Sequence, residues 1–254
     1  MIYVNGDSWS FGVFDKNGNE NTYIWPILLA KKLKTEIIND SVGCSSNSRI
    51  LSTTENFYIH GGKPKLIILA LTGHNRLHLP GPGMSHWLVG SRYVINDFTG
   101  RRGDEDILCP WIIKHSYDEL DSVYRYYKTV WNLHELCIKF NCKYIMMQAW
   151  DSELEHFGIL KDNINIEKFV LDRSKHLNRY ISEKYIKGFK FFKEESEKWN
   201  YKDQTFRSVL LPENYDNTNH PNDQGHELIA DYVLNTITET FTDWDQYSKD
   251  EIIK

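Results

Sequence analysis

Residues 66–71 read Leu-Ile-Ile-Leu-Ala-Leu, an unbroken apolar run between Lys-Pro-Lys and Thr-Gly. A strand sends successive side chains to opposite faces, so such a run needs both faces buried. That is the place of a central strand in a parallel sheet with helices on each side. "MIYVNG" at the start of the chain and "CKYIMMQAW" from Cys142 have the same buried character, and "TEIIND" reads as a further, shorter strand.

Helical patterns separate these strands. "WPILLAKKLK" places Pro26 at a helix start, where its missing N–H costs nothing. "SSNSRILSTTENFYIH" spaces Ile50, Leu51, Phe57 and Tyr58 at helical intervals behind Ser/Asn capping residues. "DELDSVYRYYKTVWNLHELCIKF" predicts a long helix, "EKFVLDRSKHLNRYISEKYIKG" another, and "HPNDQGHELIADYVLNTITETF" the last. Alternation of this kind predicts an α/β fold: a three-layer α/β/α sandwich with a parallel sheet of about five strands, flavodoxin-like in class. We expect a single domain over residues 1–240, an insertion near 78–117 that is first Gly/Pro-rich and then polar, and a polar tail at 241–254.

Length and charge narrow the function classes. A chain of 254 residues can bury a large core. Its net charge of -5 comes without a basic stripe, which argues against a nucleic-acid partner. No apolar run reaches the roughly 18 residues that cross a membrane. The first strand begins at Ile2, which leaves no room for a basic and an apolar leader segment. The expectation is a protein kept in the cytoplasm, with a phage-encoded or virion-associated protein equally compatible. Cys44, Cys109, Cys137 and Cys142 form no metal-binding spacing and read as reduced thiols. His74 and His78 are four apart but lie in a loop without a carboxylate pair, so no metal site is expected.

In folds of this class ligands sit beyond the carboxyl ends of the strands. Ser8, Gly43 and Asn75 each fall just after a predicted strand. Acyl transfer by serine needs a nucleophile, a base within hydrogen-bond reach, and donors for the developing oxyanion. Ser8 in "GDSWSFG" is the candidate nucleophile. His220, in the Asn-rich loop "DNTNHPNDQGH", is the candidate base. Gly43 in "NDSVGCSSN" offers an unshielded backbone N–H, and Asn75 in "LTGHN" a carboxamide.

These four blocks, in this order and each at the end of an element, resemble those of the SGNH, or GDSL-type, serine hydrolases. The resemblance implies Ser8 as nucleophile, His220 as general base, and an oxyanion hole from the backbone N–H groups of Ser8 and Gly43 and the Asn75 side chain, with Gly73 opening the third block. It implies no cofactor. Two positions depart from the family's pattern. Asn217 stands where the acid three residues before the histidine is usual, which leaves Asp216, Asn217 or a backbone carbonyl to orient the imidazole. Arg76 stands where the family often has Asp. A rival register, Asp223 with His226, has the same Asp-x-x-His spacing.

The insertion carries Trp87, Tyr93, Phe98 and Trp111 with Arg101 and Arg102. Aromatic faces stack on sugar rings or acyl chains, so Trp87, Trp111 and His74 are candidate substrate contacts, and Asp151 is a weaker one. The same aromatics would equally serve as a small core for the insertion. The expected function is an ester hydrolase removing small acyl groups, such as acetyl, from a carbohydrate or similar small ester. The alternatives are a catalytically weak binding or structural module of the same fold, for example glycan-binding, and an acyltransferase using the same residues. The expected partner is a small-molecule or glycan ester, with neither nucleic acid nor membrane.

Overall fold

A computed structural model describes residues 1–11, 23–43, 45–73, 76–80, 86–89, 94–96, 119–149, 164–174, 179–216 and 220–242. The elements run β1 (Ile2–Asn5), α1 (Ser8–Phe11), α2 (Trp25–Leu33), β2 (Ile37–Asn39), α3 (Asn47–Ile59), β3 (Leu66–Leu71), β4 (Leu77–Pro80), β5 (His86–Val89), β6 (Val94–Asn96), α4 (Glu119–Lys139), β7 (Lys143–Gln148), α5 (Ile166–Arg173), α6 (Arg179–Ser196), β8 (Tyr201–Thr205) and α7 (Asp223–Thr240). Two short 3-10 turns, Arg207–Val209 and Pro212–Asn214, join β8 to α7.

Five strands form one parallel sheet in the order β2-β1-β3-β7-β8. Leu66 pairs with Ile2 on one side and Lys143 on the other, which centres the six-residue apolar run as its pattern requires. Every residue of β3 is buried. Tyr3, Ile67, Leu69, Tyr144 and Met146 face a core completed by Ile50 of α3, Leu133 of α4 and Phe189 of α6. Ile2, Val4, Ile68, Ala70, Ile145 and Met147 face the other core, closed by Leu29 of α2 and Ile229 and Val233 of α7. Each large side chain so buried stabilises the fold by about 1.5–3 kcal/mol against exposure. The three-layer α/β/α sandwich follows directly from these two cores.

Helix ends show the same local logic. Asn141 adopts the left-handed conformation (φ 50°) after α4. The Asn141 N–H donates to the Ile138 carbonyl and the Cys142 N–H to the Cys137 carbonyl, both at 2.9 Å, a Schellman cap that turns the chain directly into β7. Cys137 and Cys142 are free thiols.

Three features differ from the sequence reading. The fifth strand, β8, has the polar sequence Tyr-Lys-Asp-Gln-Thr and gives no apolar signal, because among the described residues it lies at a sheet edge and pairs only with β7. The helix expected over 167–188 is two, α5 and α6, with the Ser182 hydroxyl donating to the Ser174 hydroxyl at 3.0 Å across the break. The region read as an irregular insertion contains an antiparallel meander, β4-β5-β6, in which Leu79 pairs with Trp87 and Trp87 with Asn96. Among the described residues no helix is long and apolar enough to cross a membrane.

Candidate active site

The turn after β1 is set by a glycine. A Cβ on Gly6 would stand 2.8 Å from both Ala70 Cβ and Ser10 Oγ, and 3.0 Å from the Ala70 carbonyl oxygen. Only a residue without a side chain lets the chain cross β3 this closely. Asp7, fully buried, then organises the next turn. Its Oδ1 accepts the Trp9 N–H and its carbonyl accepts those of Ser10 and Phe11, all at 3.0 Å. Ser8 is the first residue of the single helical turn that results, and it is half-buried.

The second block is laced to the first. The Val42 N–H donates to the Gly6 carbonyl at 3.2 Å, and Asn39 Nδ2 to the Ser10 carbonyl at 2.8 Å. Gly43 comes to lie beside Ser8: a Cβ built on it would be 4.0 Å from Ser8 Cβ.

The third block is fixed from the second. Asn47 Nδ2 donates to the Thr72 carbonyl at 2.7 Å while its Oδ1 accepts the Thr72 N–H at 2.9 Å, so one carboxamide imitates a backbone bridge at the end of β3. The Arg76 N–H donates to the Gly73 carbonyl at 3.4 Å. Arg76 Nη1 reaches back to Asp7 Oδ2 at 3.2 Å and to the Ser45 carbonyl at 3.3 Å.

The fourth block is a small loop on the start of α7. Tyr215 and Pro221 pair in an antiparallel bridge. The Asp216 N–H donates to the His220 carbonyl at 2.8 Å, and Asp216 Oδ1 accepts the His220 N–H at 3.0 Å. Asn222 caps α7 through Gly225 N–H at 2.9 Å and holds the Glu213 carbonyl with its Nδ2 at 2.7 Å. Gly225 is needed here because a Cβ would meet the Asn214 carbonyl oxygen at 2.5 Å. The loop delivers His220 Nε2 to 2.9 Å from Ser8 Oγ. When Oγ–H donates to Nε2, the neutral ring carries its proton on Nδ1, the tautomer a general base at this position uses.

The rival register resolves differently. His226 is buried in α7, and its Nδ1 accepts the Trp25 N–H at 3.4 Å. Burial, assisted by the neighbouring His220 and opposed by Asp216, pushes its pKa down to about 4. Asp223 is exposed on the first turn of α7. Of the two histidines, His220 is the one set against Ser8.

Ser8, Gly43, Asp216 and His220 are therefore gathered at the carboxyl edge of the sheet from blocks up to 212 positions apart. Trp87 lies on β5. His74, Asn75, Tyr93, Phe98, Arg101, Arg102, Trp111, Asp151, Asn217 and the tail from 243 lie outside the described residues, as do Cys44 and Cys109. Two residues of the assembly carried no sequence signal. Asn47 reads as a helix-capping residue, yet Ser46 is the cap, accepting the Arg49 N–H at 3.3 Å, while Asn47 turns to Thr72. Arg76 reads only as a departure from a motif; its partners are set by folding.

No protein-family model matches the chain, and no curated protein matches it in sequence. Solved structures do match in shape. TesA aligns over 94% of this chain and 98% of its own at 13% identity, with a TM-score of 0.51. A family two carbohydrate esterase from Clostridium thermocellum, in an active-site mutant, aligns over 95% of this chain and 64% of its own at 10% identity, with a TM-score of 0.50. The psychrotrophic esterase EstA from a Pseudoalteromonas species aligns over 95% and 98% at 13% identity, with a TM-score of 0.49. The chain shares the three-layer fold of the SGNH hydrolases.

Proposed function

We propose that this SGNH-fold chain is a serine ester hydrolase that works through an acyl-enzyme on Ser8. The observation that carries the reading is the 2.9 Å contact between Ser8 Oγ and His220 Nε2. His220 takes the Oγ proton as Oγ attacks the ester carbonyl, and the carbonyl oxygen becomes the oxyanion. The backbone N–H groups of Ser8 and Gly43 and the Asn75 carboxamide donate to it, each such donor being worth about 3 kcal/mol in the transition state. His220 then returns the proton to the leaving alkoxide. Water, deprotonated by the same imidazole, attacks the acyl-serine and releases the acid and free Ser8.

Asp216 anchors His220 through its main chain. As the nearest preceding carboxylate in sequence, it is also the proposed source of negative charge beside the imidazole, with Asn217 the other orienting group. The proposed substrate is a small acyl group, acetyl first among them, on a carbohydrate or similar alcohol. Trp87, Trp111 and His74 are the proposed substrate contacts, and the carbohydrate esterase of the same fold makes a sugar ester the natural first class to try.

The test is hydrolysis of p-nitrophenyl acetate by the wild type beside Ser8→Ala and His220→Ala, together with labelling by a fluorophosphonate. Turnover and labelling that both variants abolish support the reading. An inert, unlabelled wild type overturns it and favours a binding module of the same fold; product transferred to an added sugar alcohol instead of water identifies an acyltransferase.

A further inference from the structure

The mechanism above gives no part to Asp7 or Arg76, yet Asp7 is fully buried and adjoins the nucleophile. A buried carboxylate without a counter-charge is strongly unfavourable. Beside a site where an oxyanion must form, it would also repel the charge that develops. Arg76 answers both problems. Its Nη1 lies 3.2 Å from Asp7 Oδ2, and its own side chain is only 18% exposed, so the pair is poorly screened by water.

The same Nη1 donates to the Ser45 carbonyl at 3.3 Å. Ser45 is two residues after Gly43, Asp7 one residue before Ser8, and Arg76 one residue after Asn75. A single guanidinium therefore contacts the turns of the first and second blocks while standing on the third. In sequence, these three blocks carry the nucleophile and every proposed oxyanion donor. An Asp at position 76 could do none of this, since it would add a second negative charge opposite Asp7.

We propose that Arg76 is a positioning residue for this reaction: it neutralises Asp7 and holds the three block turns in register for the oxyanion. This rests on the hydrolase reading, because only a developing negative charge at Ser8 makes the neutralisation kinetically visible. Arg76 acts through Asp7 and the Ser45 main chain; it takes no part in the proton transfers.

The experiment is a cycle of Arg76→Gln, Asp7→Asn and the double variant, on p-nitrophenyl acetate, with folding checked by thermal unfolding and Ser8 by fluorophosphonate labelling. Arg76→Gln leaves Asp7 charged and should lower kcat at least about tenfold with KM little changed, as expected when a transition-state interaction is lost. Asp7→Asn keeps an oxygen for the Trp9 N–H while removing the charge. In the double variant kcat should recover several-fold over Arg76→Gln alone. Arg76→Lys, which keeps the charge without the planar fork, should fall between wild type and Arg76→Gln. An Arg76→Gln enzyme with unchanged kcat, a loss confined to KM, or a double variant no better than Arg76→Gln each overturns the role while the hydrolase reading stands. A wild type that neither turns over nor labels overturns both.

Discussion

His220 Nε2 and Ser8 Oγ lie 2.9 Å apart although 212 positions separate them in the chain. The serine is placed by the first turn after β1 and the histidine by the loop before α7. The contact therefore depends on two independently braced turns.

Gly6 and Gly43 should respond in opposite ways to alanine. At Gly6 the new methyl meets Ala70 and Ser10 at 2.8 Å, and overpacking of this kind costs about 1–3 kcal/mol. At Gly43 the nearest atom among the described residues, chain neighbours aside, is Ser8 Cβ at 4.0 Å, so these residues leave room for the methyl. On the proposed mechanism that methyl would stand beside the acyl-serine. We expect Gly6→Ala to lower Tm, and Gly43→Ala to keep Tm while esterase turnover falls about 10- to 100-fold. Thermal unfolding with parallel kinetics separates the two; a Gly43→Ala enzyme of wild-type rate would remove Gly43 from the site.

Asn47 satisfies both main-chain groups of Thr72. Asn47→Ala leaves the buried Thr72 N–H without this acceptor, at about 1–3 kcal/mol, while the Thr72 carbonyl keeps the Gln148 Nε2 donor at 3.3 Å. Asn47→Asp keeps the acceptor for the Thr72 N–H but sets an oxygen against the Thr72 carbonyl, and should be at least as damaging. Urea unfolding measures the loss. The turn at Gly73–Arg76 should loosen with it, so kcat should fall in both variants; equal stability of Asn47→Asp and wild type would count against the paired geometry.

Asp216 fixes the His220 backbone through one carboxylate oxygen. Asp216→Asn retains an oxygen for that bond and Asp216→Ala does not. The alanine variant should therefore lose at least about tenfold more kcat/KM than the asparagine variant. If the two fall together, charge beside the imidazole matters and the backbone anchor does not.

His226 should make the fold acid-sensitive. Its pKa is pushed down to about 4 in the folded chain by burial and by His220 nearby. In the unfolded chain the ring titrates near its ordinary value of about 6.5. Between these values the unfolded chain holds a proton that the folded chain lacks, so acid favours unfolding. Above pH of about 6.5 both states are neutral and this group adds no pH dependence; as pH falls toward about 4 stability is lost, by about 2 kcal/mol at pH 5. His226→Gln keeps an acceptor for the Trp25 N–H and removes the titration. Urea unfolding at pH 5 and pH 8 should show a smaller acid loss in the variant, and identical slopes would refute the assignment.

The amino-acid sequence by itself determined the layering of this protein. Residues 66–71, 2–4 and 144–147 are apolar on both faces, and that pattern calls for a sheet covered on two sides. It was silent on β8, because an edge strand of polar residues is held by backbone pairing that leaves no hydrophobic trace. It also placed Ser8 and Gly43 just after strands and His220 in a loop just before a helix. The motif context already favoured His220 over His226; tertiary structure supplied the physical difference, because the packing of α7 buries His226 against Trp25 and leaves His220 facing Ser8. It likewise gave Arg76 and Asn47 their partners. Hydrogen bonds and ion pairs between turns depend on where the chain is brought together, and neither spacing nor residue type along the sequence encodes that distance.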